Sequence, residues 1–278
     1  MASTTYSNQS QRTNAYAAKE MLAHAEPIAC LSIFGMIKPM PKNKANTIKF
    51  RRPVPLAVAT TPLTEGTPPT SQALSYEDVT VALSQYGNVV EITDVVHDLA
   101  EDPVLKDASM MCGEQAMETI ETLMWGVIRG GTNVVYANGS ARNAVNTVLT
   151  LNKQRAITRT LKNNRGKKVT NMLSSSVKFN TEAVAAAYIA FAHTDLEADI
   201  RGLAGFTPTE KYGSMQAIPY EIGKVEDVRY VLTPVLDSFA DAGGTAGSMV
   251  STSGSAADVY PIVYVAKDAY GCLLYTSD

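Results

Sequence analysis

Asp102 to Gly131, DPVLKDASMMCGEQAMETIETLMWGVIRGG, constrains the fold of this chain more than any other stretch. Asp102 is an N-cap by residue type, a short carboxylate able to accept from the backbone N–H groups left free in a first turn. Pro103 suits the first helical position, where no N–H is needed. Gly130 and Gly131 can take the left-handed conformation that closes a helix C-terminus. At 1.5 Å per residue, the helix between these signals is a rod of about 40 Å. Leu105, Ala108, Cys112, Ala116, Ile120, Leu123 and Val127 recur at three- and four-residue steps, and Met110, Met117 and Met124 form a second row. A helix that is apolar on two sides needs neighbours on more than one side. The remaining elements, or other subunits, must supply them.

Before this helix the chain has little core of its own. Residues 1–14 are polar, Ala15 to Ala25 reads as a short helix with Ala18, Met21, Leu22 and Ala25 on one face, and Lys38 to Lys44 (KPMPKNK) is basic and broken by proline. Together they form an arm, residues 1–46, of the kind that lies on something else. A strand follows in which Ile48, Phe50, Arg52, Val54 and Leu56 alternate with Thr47, Lys49 and Arg51. Pro53 and Pro55 cannot donate to a ladder, so this strand sits at an edge or leaves its sheet. Thr61 to Ser71 is turn chemistry throughout. A return strand places Val79, Val81 and Leu83 opposite Asp78, Thr80, Ala82 and Ser84, with a looser pattern up to Ile92. The result is a long hairpin, residues 47–93, too poor in apolar residues near its tip to fold back on a core. An isolated ribbon is marginal in water and its free edge is a liability, so it is expected to pack on another molecule.

Beyond the helix, Val134 to Tyr136 reads as a short strand and NGSARN as a turn. Thr150 to Arg165 is a second helix, thinly apolar through Leu151, Ile157 and Leu161. Lys153, Arg155, Arg159, Lys162 and Arg165 occupy its other faces, Lys167 and Lys168 follow, and no acid interrupts the run. This basic face is either solvated, paired with an acidic patch of a neighbour, or in contact with phosphates, a contact that reads no sequence and weakens with salt. Tyr188 to Ala192 is a strand, and Thr194 with Glu197 has the spacing of a capping box for a short helix buried through Leu196, Ile200 and Leu203. Val228 to Leu232 is a strand ended by Pro234, residues 237–258 form a glycine/serine loop, and Val259 to Ala266 is the last clear strand. This half is a mixed α/β unit.

Composition and motifs exclude more than they assign. A chain of 278 residues, 45% hydrophobic and 18% charged, is a folded protein of one large or two modest domains. A formal charge of -3 and a pI near 5.7 argue against a dedicated nucleic-acid binder. Cys30, Cys112 and Cys272 are far apart, which points to a reducing compartment and no structural zinc. The start lacks a signal peptide pattern and Ile28 to Ile37 is too short to span a bilayer, so a soluble, cytoplasmically made protein is expected, with no membrane partner. GGTAGS lacks the Lys-Ser/Thr of a P-loop, and no G-x-S-x-G elbow occurs. His193 and Asp195 resemble acid–base material, yet the aspartate sits where a first helical turn favours negative charge. His24 and His97 have no partners at metal-ligand spacing. Glu114, Glu118 and Glu121 have the spacing of a solvated face and not of a catalytic dyad. No catalytic residue, metal ligand or cofactor site is therefore assigned, and an enzyme is not expected.

The order of parts resembles a major capsid protein of tailed phages. The specific stretches, AAKEMLAHAEP, KPMPKNK, TIKFRRPVPL, GEQAMETIE, FAHTDLEADIR, EKYGSM, EIGKVEDVRYVLTP and KDAYG, are similar to the N-four-type (N4-like) phage capsid family, from about Asn14 to Gly271. The resemblance implies an α+β fold of Hong Kong 97 type, with an N-terminal arm (1–46), an extended β-hairpin loop (47–93), a peripheral domain carrying a long spine helix (94–149) and a mainly axial α/β domain (150–271). Phe50, Arg51, Arg52, Val54 and Leu56 would then contact an adjacent subunit. Partners would be copies of the chain itself, in hexamers and pentamers of an icosahedral shell, the packaged double-stranded DNA, and portal and scaffolding proteins. The location would be the virion capsid, assembled in the host cytoplasm.

After KDAYG the family pattern continues, whereas here CLLYTSD follows. Residues 272–278 are therefore expected to be a foreign tail on a truncated frame, leaving the Met110/Met117/Met124 side of the long helix or its neighbour under-covered. Two other readings differ in kind. A tail or encapsulating-shell component differs in lumen content, since a capsid should hold DNA and an encapsulating shell protein cargo. A hydrolase would depend on His193 and Asp195.

Overall fold

The computed structural model describes residues 29–39, 47–93, 103–173, 181–213 and 215–274. The expected helix at Ala15–Ala25, most of KPMPKNK and the Asp102 cap lie outside these residues. The chain divides into two compact units, residues 37–87 with the segment from 271, and residues up to 36 with 88–270.

The smaller unit is built from β1 (Met36–Pro39), β2 (Thr47–Pro53), β3 (Tyr76–Ala82) and the last strand, which pairs with β1. β2 and β3 are antiparallel, with Ile48 opposite Val81, Phe50 opposite Val79 and Pro53 opposite Tyr76. The strand runs as far as Pro53, whose nitrogen faces away from β3, and one further bond follows, from Val54 N–H to the Ser75 carbonyl at 2.9 Å. The strand pattern expected to run on to Ile92 ends at Ala82.

In the larger unit, α1 (Val104–Ile128) is 25 residues long. Both of its ends differ from expectation. Pro103 is the N-cap, not the first helical residue, and its carbonyl accepts from Lys106 and Asp107 N–H. At the other end Arg129 stays right-handed and neither Gly130 nor Gly131 has a positive φ. The last carbonyls are satisfied instead by three-residue bonds, Gly130 N–H to Val127 and Gly131 N–H to Ile128.

The structure also fixes the rotation of α1. Gly113, Glu121 and Trp125 are buried, with Met110, Met117, Met124 and Ile128 half-buried beside them. Leu105, Ala116, Ile120, Leu123 and Val127 are exposed. Of the two sides, the methionine side is thus the seat of the helix and its neighbour is the uncovered one. Trp125 decides this, because it is the largest apolar side chain available and its indole N–H reaches the Asp237 carbonyl at 3.2 Å.

Then come α2 (Leu151–Asn163), β4 (Val169–Leu173), β5 (Thr181–Ala192), α3 (Glu197–Arg201), β6 (Phe206–Pro208), β7 (Glu221–Val225), β8 (Val228–Leu232), β9 (Val263–Val265) and, in the smaller unit, β10 (Gly271–Leu274). Six of these strands form one sheet in the order β4-β5-β8-β7-β6, with β9 also on β5. β8 is parallel to β5, the other pairs antiparallel. All five residues of β8 are buried, as a central strand covered on both faces requires.

One face of the sheet carries Ile189, Phe191, Val231 and Val265, packed against Leu31, Phe34, Trp125, Ile218 and Leu236. The other carries Tyr188, Ala190, Val228 and Tyr230 beneath Ile200 and Leu203, with Leu151 and Leu161 of α2 at its margin. Residues on both sides of the expected boundary at 149/150 belong to this unit. Val134 to Tyr136 forms no strand, and the expected strand at Val259–Ala266 shortens to β9, Val259 making only an isolated bridge to Phe239.

Candidate functional site

The hairpin in the smaller unit places side chains without a core beneath them. Arg51 makes a two-pronged pair with Asp78 across the ladder (Nε to Oδ1 2.8 Å, Nη2 to Oδ2 2.9 Å), and Arg52 pairs with Glu77. The Arg51 hydrogen bond holds the Asp78 carboxyl below its ordinary pKa. Phe50 lies under the Lys38 ammonium at 4.6 Å and closes on Gly271, where an added Cβ would meet its ring at 2.6 Å. Val54 is half-buried. Beyond it the chain is exposed through to Glu91, and with it Leu56 (54%), Val58, Leu63, Leu74, Tyr76 and Val79 (62%). Of the candidate contact residues, then, both arginines are used within the hairpin, Phe50 is partly covered, and Leu56 is free.

The larger unit has its own exposed apolar row, Leu105, Ile120, Leu123 and Val127 (80%) along α1, with Met111 (70%) exposed on a different face. Scattered apolar residues are normal on a surface, but a continuous row of them marks a contact. The opposite row of the same helix holds Glu121, which is 1% exposed and accepts from Leu31 N–H at 2.7 Å and Ser32 N–H at 3.2 Å. This overturns its placement on a solvated face. Its four-residue spacing from Met117 and Trp125 was the available signal.

The basic helix is answered largely from within the chain. The β7–β8 turn aims Glu226 and Asp227 at α2. Arg155 Nε donates to Glu226 at 2.8 Å, while Lys162 and Lys168 reach Asp227 at 2.6 and 3.0 Å. Glu226 adopts φ +52 to do so, a left-handed backbone that costs a non-glycine residue about 1–2 kcal/mol. Lys153 lines a cavity described below. Among the described residues Arg159, Arg165 and Lys167 are exposed and form no ion pair. Buried Gln154, unremarked in the sequence, ties the same helix to the sheet. It donates to the Val225 carbonyl (2.9 Å) and accepts from Tyr230 (2.7 Å), whose hydroxyl also meets Tyr264 at 3.0 Å. Burial pushes the Tyr264 phenol up to about 12.

The hydrogen bonds from Lys162 and Lys168 hold the Asp227 carboxyl below its ordinary value of 3.8. A carboxylate with a lowered folded pKa stabilises fully above its unfolded value and loses that contribution as the pH falls through the folded one. Asp227→Asn should therefore lower the melting temperature at pH 7 and leave it unchanged near pH 2. A difference independent of pH would show that the pair contributes no charge-dependent stability.

His193 Nδ1 lies 3.2 Å from Asp195 Oδ2, but both groups also serve local structure. His193 Nδ1 accepts from Asp195 N–H at 3.1 Å, so histidine and not Thr194 caps the short turn before α3, and the expected capping box is absent. Asp195 accepts from Tyr260 Oη at 2.7 Å. Among the described residues no cluster of acids, histidines and cysteines is suited to a metal, and no helix is long and apolar enough to cross a membrane. A cavity of about 570 Å³ lies in the larger unit, between the end of α1, α2, α3 and the loop before β9.

Residues 76–270 match the model of a family described as phage capsid protein. Among solved structures, the capsid of Ralstonia phage GP4 is similar with a TM-score of 0.60 at 12% identity, covering 88% of this chain and 75% of that one. The capsid of cyanophage P-SCSP1u (TM-score 0.48, 10% identity, 90% and 88% covered) and the mature capsid of bacteriophage PhiM1 (0.49, 9%, 89% and 87%) are more distant overlays. No curated protein sequence matches.

Proposed function

The chain belongs to the phage capsid protein family, and from that premise we propose that many copies of it close an icosahedral head of Hong Kong 97 type around double-stranded DNA. Its role is that of a structural subunit of the capsid. The observation that carries the proposal is the hairpin, whose exposed Leu56, Val58, Leu63, Leu74 and Val79 have no core of their own. In this reading the hairpin, residues 47–93, lies over an adjacent subunit, α1 is the spine of a peripheral domain (94–149), and residues 150–271 supply the axial contacts of hexamers and pentamers. The quoted stretches favour the N-four-type branch. Portal and scaffolding proteins would complete the partner set, with assembly in the host cytoplasm.

Electron microscopy of the purified full chain tests this. Shells, rings or tubes are expected, and persistent monomers, even beside the phage's other head proteins, would count against it. Leu56→Glu and Val79→Glu alter side chains that already face solvent, so each should change folding stability by no more than about 0.5 kcal/mol. Each should nonetheless lower the assembled fraction about tenfold, the equivalent of ~1.4 kcal/mol at one contact.

The cations left unpaired on the basic helix support a second assignment. Arg159, Arg165 and Lys167 are the members of that face proposed to meet packaged DNA, because Arg155, Lys162 and Lys168 already serve Glu226 and Asp227. Replacing the three with glutamine should reduce DNA retained in particles and its salt sensitivity, with shell yield unchanged. Loss of the shells themselves would assign the three to subunit contacts.

A further inference from the structure

The tip of the hairpin and the cavity of the larger unit have matching chemistry. At the tip, Thr67 N–H donates to the Thr64 carbonyl at 3.1 Å and Gly66 sits at φ +81. This is a turn with glycine where a positive φ is needed, and it holds Glu65 at the apex. Pro62, Pro68 and Pro69 flank it, so much of the tip's backbone is preset and little freedom remains to be lost on docking. Glu65 is the only charged residue between Arg52 and Glu77. Leu63, beside it, is exposed.

The cavity, about 570 Å³, is of ligand-pocket size, and Tyr136, Phe239, Tyr260 and Tyr264 line it. Arg142 lies 3.6 Å over the Phe239 ring and Arg129 lies 5.3 Å from it. Neither guanidinium is paired with an acid among the described residues. Val134, Val135 and Val250 stand exposed at its border. An aromatic-lined hollow is what proline-bearing extended segments dock into. Asp195, Asp199 and Asp258 also line it, but Asp195 accepts from Tyr260 and Asp258 from Asp241 N–H and Thr252. The two guanidiniums at Phe239 are the complement to one carboxylate.

We propose that this cavity receives the hairpin tip of a second copy, residues 61–69, with Leu63 among the apolar walls and the Glu65 carboxylate against Arg142. The proposal rests on the reading that the hairpin contacts an adjacent subunit, and it names the receiving site.

A photo-crosslinking amino acid at position 63 tests it, in particles grown from a mixture of isotopically light and heavy full-length chains. Light–heavy cross-links to residues 134–148 or 239–260 are expected. In parallel, Glu65→Arg and Arg142→Glu should each lower the assembled fraction about tenfold, and the double charge swap should restore most of it, since interfacial charge pairs couple by ~1.5 kcal/mol or more. Melting temperatures close to wild type exclude misfolding as the cause. Light–heavy cross-links landing on another surface, such as the outer row of α1, would overturn this receiving site and leave the hairpin reading intact. Normal assembly after deletion of residues 61–69 would overturn the receiving site, and normal assembly of Leu56→Glu and Val79→Glu would overturn the hairpin reading itself.

Discussion

Arg229→Met lowers the stability of the folded subunit by about 3–5 kcal/mol, the cost of removing one partner from a buried ion pair. Arg229 projects from the central strand β8 and is 1% exposed. Its Nε lies 3.1 Å from Glu221 Oε1 on β7, and its Nη2 donates to the Gln216 carbonyl at 2.7 Å. The Glu221 carboxylate also accepts from Tyr212 Oη and from Ile218 N–H at 2.8 Å. Burial, followed by the bond to Glu221, pushes the Tyr212 phenol far up, so it stays a proton donor. These contacts hold Tyr212, Gln216 and Ile218 to β7 and β8, ahead of Tyr220 at φ +62.

Methionine would fill the arginine's space but leave the Glu221 charge sealed in the core. The double variant Arg229→Met/Glu221→Gln should therefore be more stable than the single, by about 1–2 kcal/mol, because glutamine keeps an acceptor and carries no charge. Urea midpoints measure both. A single-variant loss below about 1 kcal/mol, within the range of a surface pair, would show that the charge escapes to water. One feature of the pair runs against pure stabilisation, since Arg229 Nη1 is buried without a hydrogen-bond partner among the described residues. An all-apolar replacement at both positions is the natural comparison for whether the pair specifies the loop's path more than it stabilises it.

What the sequence revealed here, and what it hid, follow one physical division. Elements whose pattern is local were legible: β2, β3, β8 and both longer helices lie close to where periodicity and prolines put them. β4, β6 and β7 were missed because they are short and their polar faces are defined only by neighbours far along the chain. The rotation of α1 is open in the sequence because both of its rows are apolar. Only the tertiary partners of Trp125 and Glu121 distinguish them. The basic run on α2 looked unanswered because its acids, Glu226 and Asp227, come more than sixty residues later in a two-residue turn that folding brings alongside. Similarly, the adjacency of His193 and Asp195 suggests chemistry, while the structure uses the imidazole to cap a turn and the carboxylate to hold Tyr260.

Glu121→Ala carries the second large effect, an expected loss of about 2–4 kcal/mol, since one buried and one half-buried N–H lose their acceptor at up to roughly 1–3 kcal/mol each and one buried charge is removed in compensation. Leu31 and Ser32, whose N–H groups it accepts, belong to the segment that covers one face of the sheet with Ile33 and Phe34. Glu121→Gln keeps one acceptor and faces the other N–H with a donor, so it should fall between wild type and alanine. Cys30 reports on the same contact locally. Burial first, and the Glu121 charge second, push its thiol well above the ordinary range, which keeps it protonated and unreactive. If Glu121 pins this segment to α1, alanine should speed alkylation of Cys30, read by mass spectrometry at that site, by at least as large a factor as it lowers global stability. Faster labelling with an unchanged urea midpoint would mean the segment opens on its own. A lowered midpoint with unchanged labelling would mean that Glu121 acts through α1 and not through residues 30–34.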